Sequence, residues 1–311
     1  MTVLYSLEER EETFHNPVVT IGNFDGVHCG HKAIFETMLQ VARSISGDGI
    51  VFTFSEHPRK LLTPHTPPKI LTTSTEKIRA IEATGVKNIV MMPFTHELAN
   101  LTAEEFLYRI IFYHIGKANI VVGYDHAFGR GREGNYEYLQ AIAHKEGIMV
   151  KRVEPVCIQS KPVSSSWIRA EIEDGNIAMA NELLGRAYSL SGTVVQGQMR
   201  GRLLGYPTAN IAPDDMDKII PKDGVYAVRA TINNTMYDGM LNIGTNPTFA
   251  NTERTIEVNI FDFNSDIYGI RVEVYFYDRI RDDKRFESVA ALKEQLHNDM
   301  IAAQKMLKTR A

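Results

Sequence analysis

At 311 residues, with 44% hydrophobic and 23% charged residues, the chain has room for two domains with separate cores and is too ordinary in composition for a fibrous or disordered protein. A net charge of -4, with basic residues scattered rather than gathered into a run, gives no support to nucleic-acid binding. Two cysteines, Cys29 and Cys157, supply no disulfide framework and fit the cytoplasm, and neither a signal peptide nor an apolar run of roughly 18 residues points to export or a membrane.

Val18 to Ile21 reads as a short β-branched strand ending at Gly22, and Lys32 to Ser44 carries apolar residues at helical spacing. The alternation continues: strand 50–54, helix 74–83, strand 89–92, helix 103–115, strand 120–123, helix 136–146 and strand 149–155, then helices over 166–174 and 177–184. Such alternation implies a parallel sheet wound with helices on both faces. It stops near Gly185. Beyond Tyr188 the pattern turns to β-rich runs at 190–195, 224–232, 236–243, 255–261 and 271–279, as in a small antiparallel barrel. The last stretch, 288–308, aligns Val289, Leu292, Leu296, Met300, Ala303 and Met306 on one helical face, so a closing helix is expected. The change of texture places a boundary near residue 186, giving domains 1–186 and 187–311.

The first chemical signal is GNFDGVHCGH, from Gly22 to His31, at the carboxyl end of a strand and the start of a helix. That is where α/β sheets bind ligands: glycines admit a phosphate close to the backbone, and the helix start offers N–H groups and a positive dipole. His28 and His31, three apart at the helix start, are suited to donate to one triphosphate as pyrophosphate leaves. As alternatives, the two histidines are ordinary half-buried donors, or ligands of a metal such as zinc with Asp25 as a third.

This segment resembles the signature of histidine-motif nucleotidyltransferases, in the Phe-Asp-Gly form of bacterial FAD synthetases, and further landmarks follow in order. FSEHPR at 54–59, LTTSTEK at 71–77, VVGYDHAFGRGREGN at 121–135 and VSSSWIR at 163–169 are similar to successive family segments. Without the family, the serine run reads only as a helix cap. Glu56 stands where the family usually has proline, and His126 where an apolar or aromatic residue is common. The resemblance implies ATP contacts at Gly22, Phe24, Asp25, Gly26, Gly30 and Ser165. It makes His28, His31 and Arg169 the catalytic groups and puts Asp125 and Phe128 nearer the flavin.

The second signal is GRLLGYPTANI, from Gly201 to Ile211. Thr208 and Asn210, two apart on an extended segment, face the same side, where their oxygens could hold Mg²⁺ against nucleotide phosphates. Alone, the pair is equally a loop whose side chains bond the backbone. Gly224-Val225-Tyr226, NIGTNPTF at 242–249, IEVN at 256–259 and FDF at 261–263 follow, and in that order they resemble a riboflavin kinase domain. The resemblance implies that Gly201 and Gly205 contact ATP, Thr208 and Asn210 hold the metal, and Glu257 takes the proton of the riboflavin hydroxyl. Otherwise Glu257 is a strand residue paired with Arg254 or Arg271. Asn259 replaces a histidine frequent two positions after that glutamate.

Together the segments resemble a bacterial bifunctional riboflavin kinase and FAD synthetase over roughly residues 15–280. The implied fold is α/β: a Rossmann-like nucleotidyltransferase domain with a parallel sheet, then a small antiparallel β-barrel riboflavin kinase domain and a C-terminal helix. The implied substrates and products are ATP, riboflavin, FMN and FAD, with Mg²⁺ serving both steps. Neither a nucleic acid nor a membrane is expected as partner, and the chain is expected to be a monomer or weak homo-oligomer. Competing readings are an enzyme with one decayed domain, a flavin-binding regulator that does not turn over ATP, and a nucleic-acid module.

Overall fold

The computed structural model describes residues 1–6, 14–197, 205–248 and 251–309. The chain forms two compact units, Met1–Ser165 and Ser166–Ala311.

In the first unit, β1 (Thr2–Leu4), β2 (Val18–Ile21), β3 (Gly49–Phe54), β4 (Asn88–Met92), β5 (Asn119–Gly123) and β6 (Val150–Val153) form one sheet, in spatial order β1-β4-β3-β2-β5-β6. Every neighbouring pair is parallel. All four residues of β2 and all six of β3 are buried, as a sheet covered on both faces requires. Successive side chains alternate between two cores. Val18 and Val51 join Phe35 and Met38 on one face, while Val19, Ile21, Ile50 and Phe52 join Phe106, Leu107 and Ile111 on the other.

The covering helices are α1 (Cys29–Ser44), α2 (Pro58–Leu62), α3 (Ser74–Glu82), α4 (His96–Asn100), α5 (Ala103–Glu105) and α6 (Tyr136–Glu146). The helix expected over 103–115 winds in π register from Phe106 to Phe112 after α5. The helix expected from Lys32 starts three residues earlier, because His28 caps it. The chain runs from β2 outward through β3 and β4, then returns to place β5 on the other flank of β2. The crevice of an open α/β sheet lies at such a reversal, outside the carboxyl ends of the strands, which is where Gly22 to His28 lie. A small hairpin, β7 (Cys157–Ile158) and β8 (Lys161–Pro162), follows the sheet.

In the second unit, α7 (Ser165–Glu173), whose first residue closes the first unit, and α8 (Ile177–Leu184) precede the barrel. Gly185 ends α8 in the left-handed region. The strands are β9 (Tyr188–Val195), β10 (Ala209–Pro213), β11 (Gly224–Ile232), β12 (Thr235–Thr248), β13 (Asn251–Ile260) and β14 (Arg271–Arg281). They close in the order β10-β13-β12-β11-β14-β9 with every pair antiparallel, which leaves no sheet edge unpaired.

Helix α9 (Val289–Lys308) lays Leu296, Met300, Ala303, Met306 and Leu307 against Ala227, Met240 and Phe261. Its apolar face is shorter than the sequence suggests, since Val289 is 63% exposed. The fully buried Asp299 instead anchors the middle of the helix, its carboxylate accepting from Arg281 Nε at 3.0 Å and Nη2 at 2.7 Å. The parallel-sheet unit, antiparallel barrel and final helix are as expected from the sequence.

Candidate active sites

The first site is a strained loop held from beneath. Phe24, Gly26 and Val27 have φ of 49°, 85° and 41°. The left-handed region is an outlier for a β-branched valine and persists only where surrounding structure enforces it. Gly22 lets the loop fold back, since a Cβ there would lie 2.8 Å from the Phe24 ring. Asp25, 3% exposed, supplies most of the restraint. Its carboxylate accepts from the Leu71 and Thr72 amides, each at 3.0 Å, and from the Thr72 hydroxyl at 3.1 Å. The Gly26 amide donates to the Thr72 hydroxyl at 3.0 Å, the Thr53 hydroxyl to the Asn23 carbonyl at 3.0 Å, and the Ser165 hydroxyl to the Asp25 carbonyl at 2.9 Å. The Asp25 side chain therefore shapes the loop, and Ser165 joins the second signature to it.

His28 caps α1, its Nδ1 accepting from the His31 amide at 3.4 Å. The neutral ring consistent with that bond carries its proton on Nε2 and is a hydrogen-bond donor there. His28 and His31 stack with centroids 3.5 Å apart, and Phe24 meets His31 edge-on at 5.2 Å. A Cβ at Gly30 would press within 3.1 Å of the His28 ring. The loop thus brings together Gly22, Phe24, Asp25, Gly26, His28, Gly30, His31 and Ser165. Arg169 lies on α7 and belongs to the second unit.

Lys77 is a residue that sequence reasoning quoted but did not single out. It is 3% exposed and donates to the Phe54 carbonyl at 2.8 Å. Burial pushes its pKa down to about 8, with the Asp25 charge opposing the shift. In the flavin-side loop Asp125 is exposed, whereas Phe128, 9% exposed, packs into the core against Phe106 at 5.6 Å. His126 stacks on Phe128 at 5.6 Å, and burial, aided by the Arg132 charge, pushes its pKa down to about 4. Among the described residues, no group of three or more His, Cys, Asp or Glu is placed to hold a metal.

The second site is assembled by strand register. Glu257 on β13 lies opposite Asn210 of β10 and Asn242 of β12. Its carboxylate accepts from Thr208 Oγ1 at 3.1 Å and Thr255 Oγ1 at 3.4 Å. Arg254 and Arg271, its alternative partners, hold other carboxylates, Asp223 at 2.6 Å and Asp214 at 2.7 Å. Gly197 was not anticipated: a Cβ there would sit 2.0 Å from the Asn210 amide nitrogen. Gly205 turns the chain at φ 86°, and Gly201 lies outside the described residues. Thr208 also lines a cavity of roughly 350 Å³, together with Val194, Pro207, Val258, Ile260 and Tyr268 among others.

Comparison with known proteins matches the FAD synthetase family over residues 10–167 and the riboflavin kinase family over 184–307. A Bacillus subtilis protein named bifunctional riboflavin kinase/FMN adenylyltransferase is 36% identical, the alignment covering 91% of this chain and 90% of that one. The chain belongs to the bifunctional riboflavin kinase/FMN adenylyltransferase family. A member from Escherichia coli K12 is 34% identical over 92% of this chain and 91% of its own. A solved structure from Streptococcus pneumoniae, titled a macrolide-efflux protein, aligns with TM-score 0.88 at 36% identity, covering 97% of this chain and 98% of that one. In this member of the family no helix among the described residues is long and apolar enough to cross a membrane. The family resemblance drawn from the sequence motifs is borne out.

Proposed function

We propose that residues 187–311 phosphorylate riboflavin to FMN with ATP, and that residues 1–186 transfer AMP from a second ATP to FMN, giving FAD and pyrophosphate. The chain is an enzyme of flavin cofactor biosynthesis. The observation that carries this reading is that each unit holds its own constellation, the clamped loop with its stacked histidines in one and Glu257 with its hydroxyl partners in the other.

In the kinase step Glu257 accepts the proton of the riboflavin 5′-hydroxyl as that oxygen attacks the γ-phosphorus and ADP leaves. The Thr208 and Thr255 hydroxyls, donating to its two oxygens, hold the carboxylate in place. In the adenylyl step an FMN phosphate oxygen attacks the α-phosphorus. The FMN phosphate is already a nucleophile, so positioning and charge stabilisation by His28 and His31 outweigh proton transfer. Ser165 keeps the loop in place, Gly22, Gly26 and Gly30 leave room for the phosphates, and Asp125 and Phe128 lie toward the flavin. The role of Arg169 rests on the resemblance alone.

The oxygens of Thr208 and Asn210 suit Mg²⁺. Thr208 spends its proton on Glu257, which leaves its lone pairs for a hard cation, and the Asn210 amide is lodged over Gly197. When bound, the ion supplies positive charge to the phosphates. The free cysteines fit a cytoplasmic setting, and the net charge of -4 fits small-molecule substrates rather than nucleic acid, with the chain a monomer or weak homo-oligomer.

Incubation of the pure protein with riboflavin, ATP and MgCl₂, with chromatography of the products, tests the reading. FMN followed by FAD is expected. Unchanged riboflavin, together with unchanged FMN in a parallel FMN-fed reaction, would leave only a flavin-binding protein.

A further inference from the structure

Glu257 and Asn259 are two apart on β13 and so share one face of the strand. The Pro207–Thr208 segment is fastened to both. The Pro207 carbonyl accepts from Asn259 Nδ2 at 2.7 Å, and the Thr208 hydroxyl donates to Glu257 at 3.1 Å. Asn259 is 7% exposed, so its amide is withdrawn from solvent and its bond to Pro207 is protected from competing water. Proline has a fixed φ and no N–H of its own, which leaves its carbonyl as the group by which the backbone can be held at this point. Both Pro207 and Thr208 line the cavity.

We propose that Asn259 is a positioning residue of the kinase step: by holding the Pro207 carbonyl it sets the Thr208 hydroxyl at the wall of the cavity and, through that hydroxyl, fixes the Glu257 carboxylate. The inference rests on the kinase reading of the second unit. In this role Asn259 acts through Pro207 and Thr208, one hydrogen bond behind the segment that holds Glu257. Removing its donor leaves the Pro207 carbonyl without that bond and lets Thr208 drift from Glu257. A displacement of this kind at a reacting centre lowers the rate of the chemical step without weakening the apolar hold on a substrate ring.

The test uses the full chain with Asn259→Leu, similar in size but without a donor, and measures both activities. The expected result is a fall of about tenfold in kcat for riboflavin phosphorylation, the rate equivalent of one lost buried hydrogen bond. The riboflavin KM is expected to stay within about twofold, the Mg²⁺ half-saturation to rise, and adenylylation of supplied FMN to be unchanged. If circular dichroism shows Asn259→Leu to be unfolded, Asn259→Ala, smaller and likewise without a donor, is read in its place. Wild-type kcat in the folded variant overturns the proposal, and so does a raised riboflavin KM at unchanged kcat, which marks Asn259 as cavity packing. Two controls separate the levels: absence of riboflavin phosphorylation by the unaltered chain removes the kinase reading itself, whereas an inactive Glu257→Ala beside a fully active Asn259→Leu removes only the positioning role.

Discussion

The two candidate sites reach similar ends, phosphate chemistry on a flavin and ATP, by different structural means. In the first, a strained stretch of backbone from Phe24 to Val27 is bent around Asp25 and pinned by residues near positions 53, 72 and 165. In the second, ordinary strands bring Asn210, Asn242 and Glu257 side by side through antiparallel register, and the hydroxyls of Thr208 and Thr255 close around the carboxylate. The first site is therefore vulnerable at the buried group that bends the loop, the second at Glu257, the side chain proposed to take the reacting proton. A loop can store strain because its amides have partners elsewhere, whereas a strand stays regular and leaves the chemistry to its side chains.

Separation of the two activities is the largest effect expected. Glu257→Ala should lower riboflavin phosphorylation by about a thousandfold, in the range found for a positioned general base, and leave adenylylation of supplied FMN intact. His28→Ala should do the reverse, lowering adenylylation by about a hundredfold through loss of a donor to the developing charge. Steady-state rates of both reactions on each folded variant decide the matter. If either substitution removed both activities, two independent sites would be untenable.

Asp25→Ala tests the clamp. The carboxylate satisfies two buried amides and a hydroxyl, so its removal should destabilise the first unit by about 3 kcal/mol, the cost of several buried donors losing their partner. FAD synthesis should fall with it while riboflavin phosphorylation continues. Chemical denaturation together with both rates measures this. Unchanged stability with lost FAD synthesis would instead give Asp25 a direct role toward ATP.

The parts legible in the sequence are those carried by local patterns. Period-two and helical spacing disclosed the sheet, most barrel strands and most helices, and the glycines flanking His28 marked the clamped loop. What escaped depends on partners distant in sequence or on turns without a usual residue signal. The clamp made by Asp25 escaped because its bonds run to Leu71 and Thr72, 46 and 47 residues away. Lys77 escaped for the same reason, its partner being the Phe54 carbonyl. The β7–β8 hairpin turns on Gln159 and Ser160, with φ of 50° and 60°, where asparagine and glycine are the usual markers. Strand β10, closed by Pro213, buries only Ile211 and so offers no apolar pattern to read, and the fit of Asn210 over Gly197 exists only once the barrel has formed.

The smallest expected effect sharpens the contrast between the units on the acid side. The His126 ring is half-buried against Phe128 beside the Arg132 charge, and its pKa is about 4 rather than the ordinary 6.5. Between those values the unfolded chain binds a proton that the folded ring refuses, so the contribution of this residue is present above pH 6.5 and is lost as the pH falls toward 4. Relative to neutral pH, that linkage amounts to about 2 kcal/mol at pH 5. His126→Leu keeps an apolar neighbour for Phe128 and removes the titrating group. Urea titrations followed by circular dichroism, for wild type and variant at pH 7 and pH 5, should show the wild type losing about 2 kcal/mol more than His126→Leu between the two conditions. Parallel losses in the two proteins would mean that the ring accepts its proton without leaving the fold, and the acid sensitivity of the first unit would then have to come from groups other than His126.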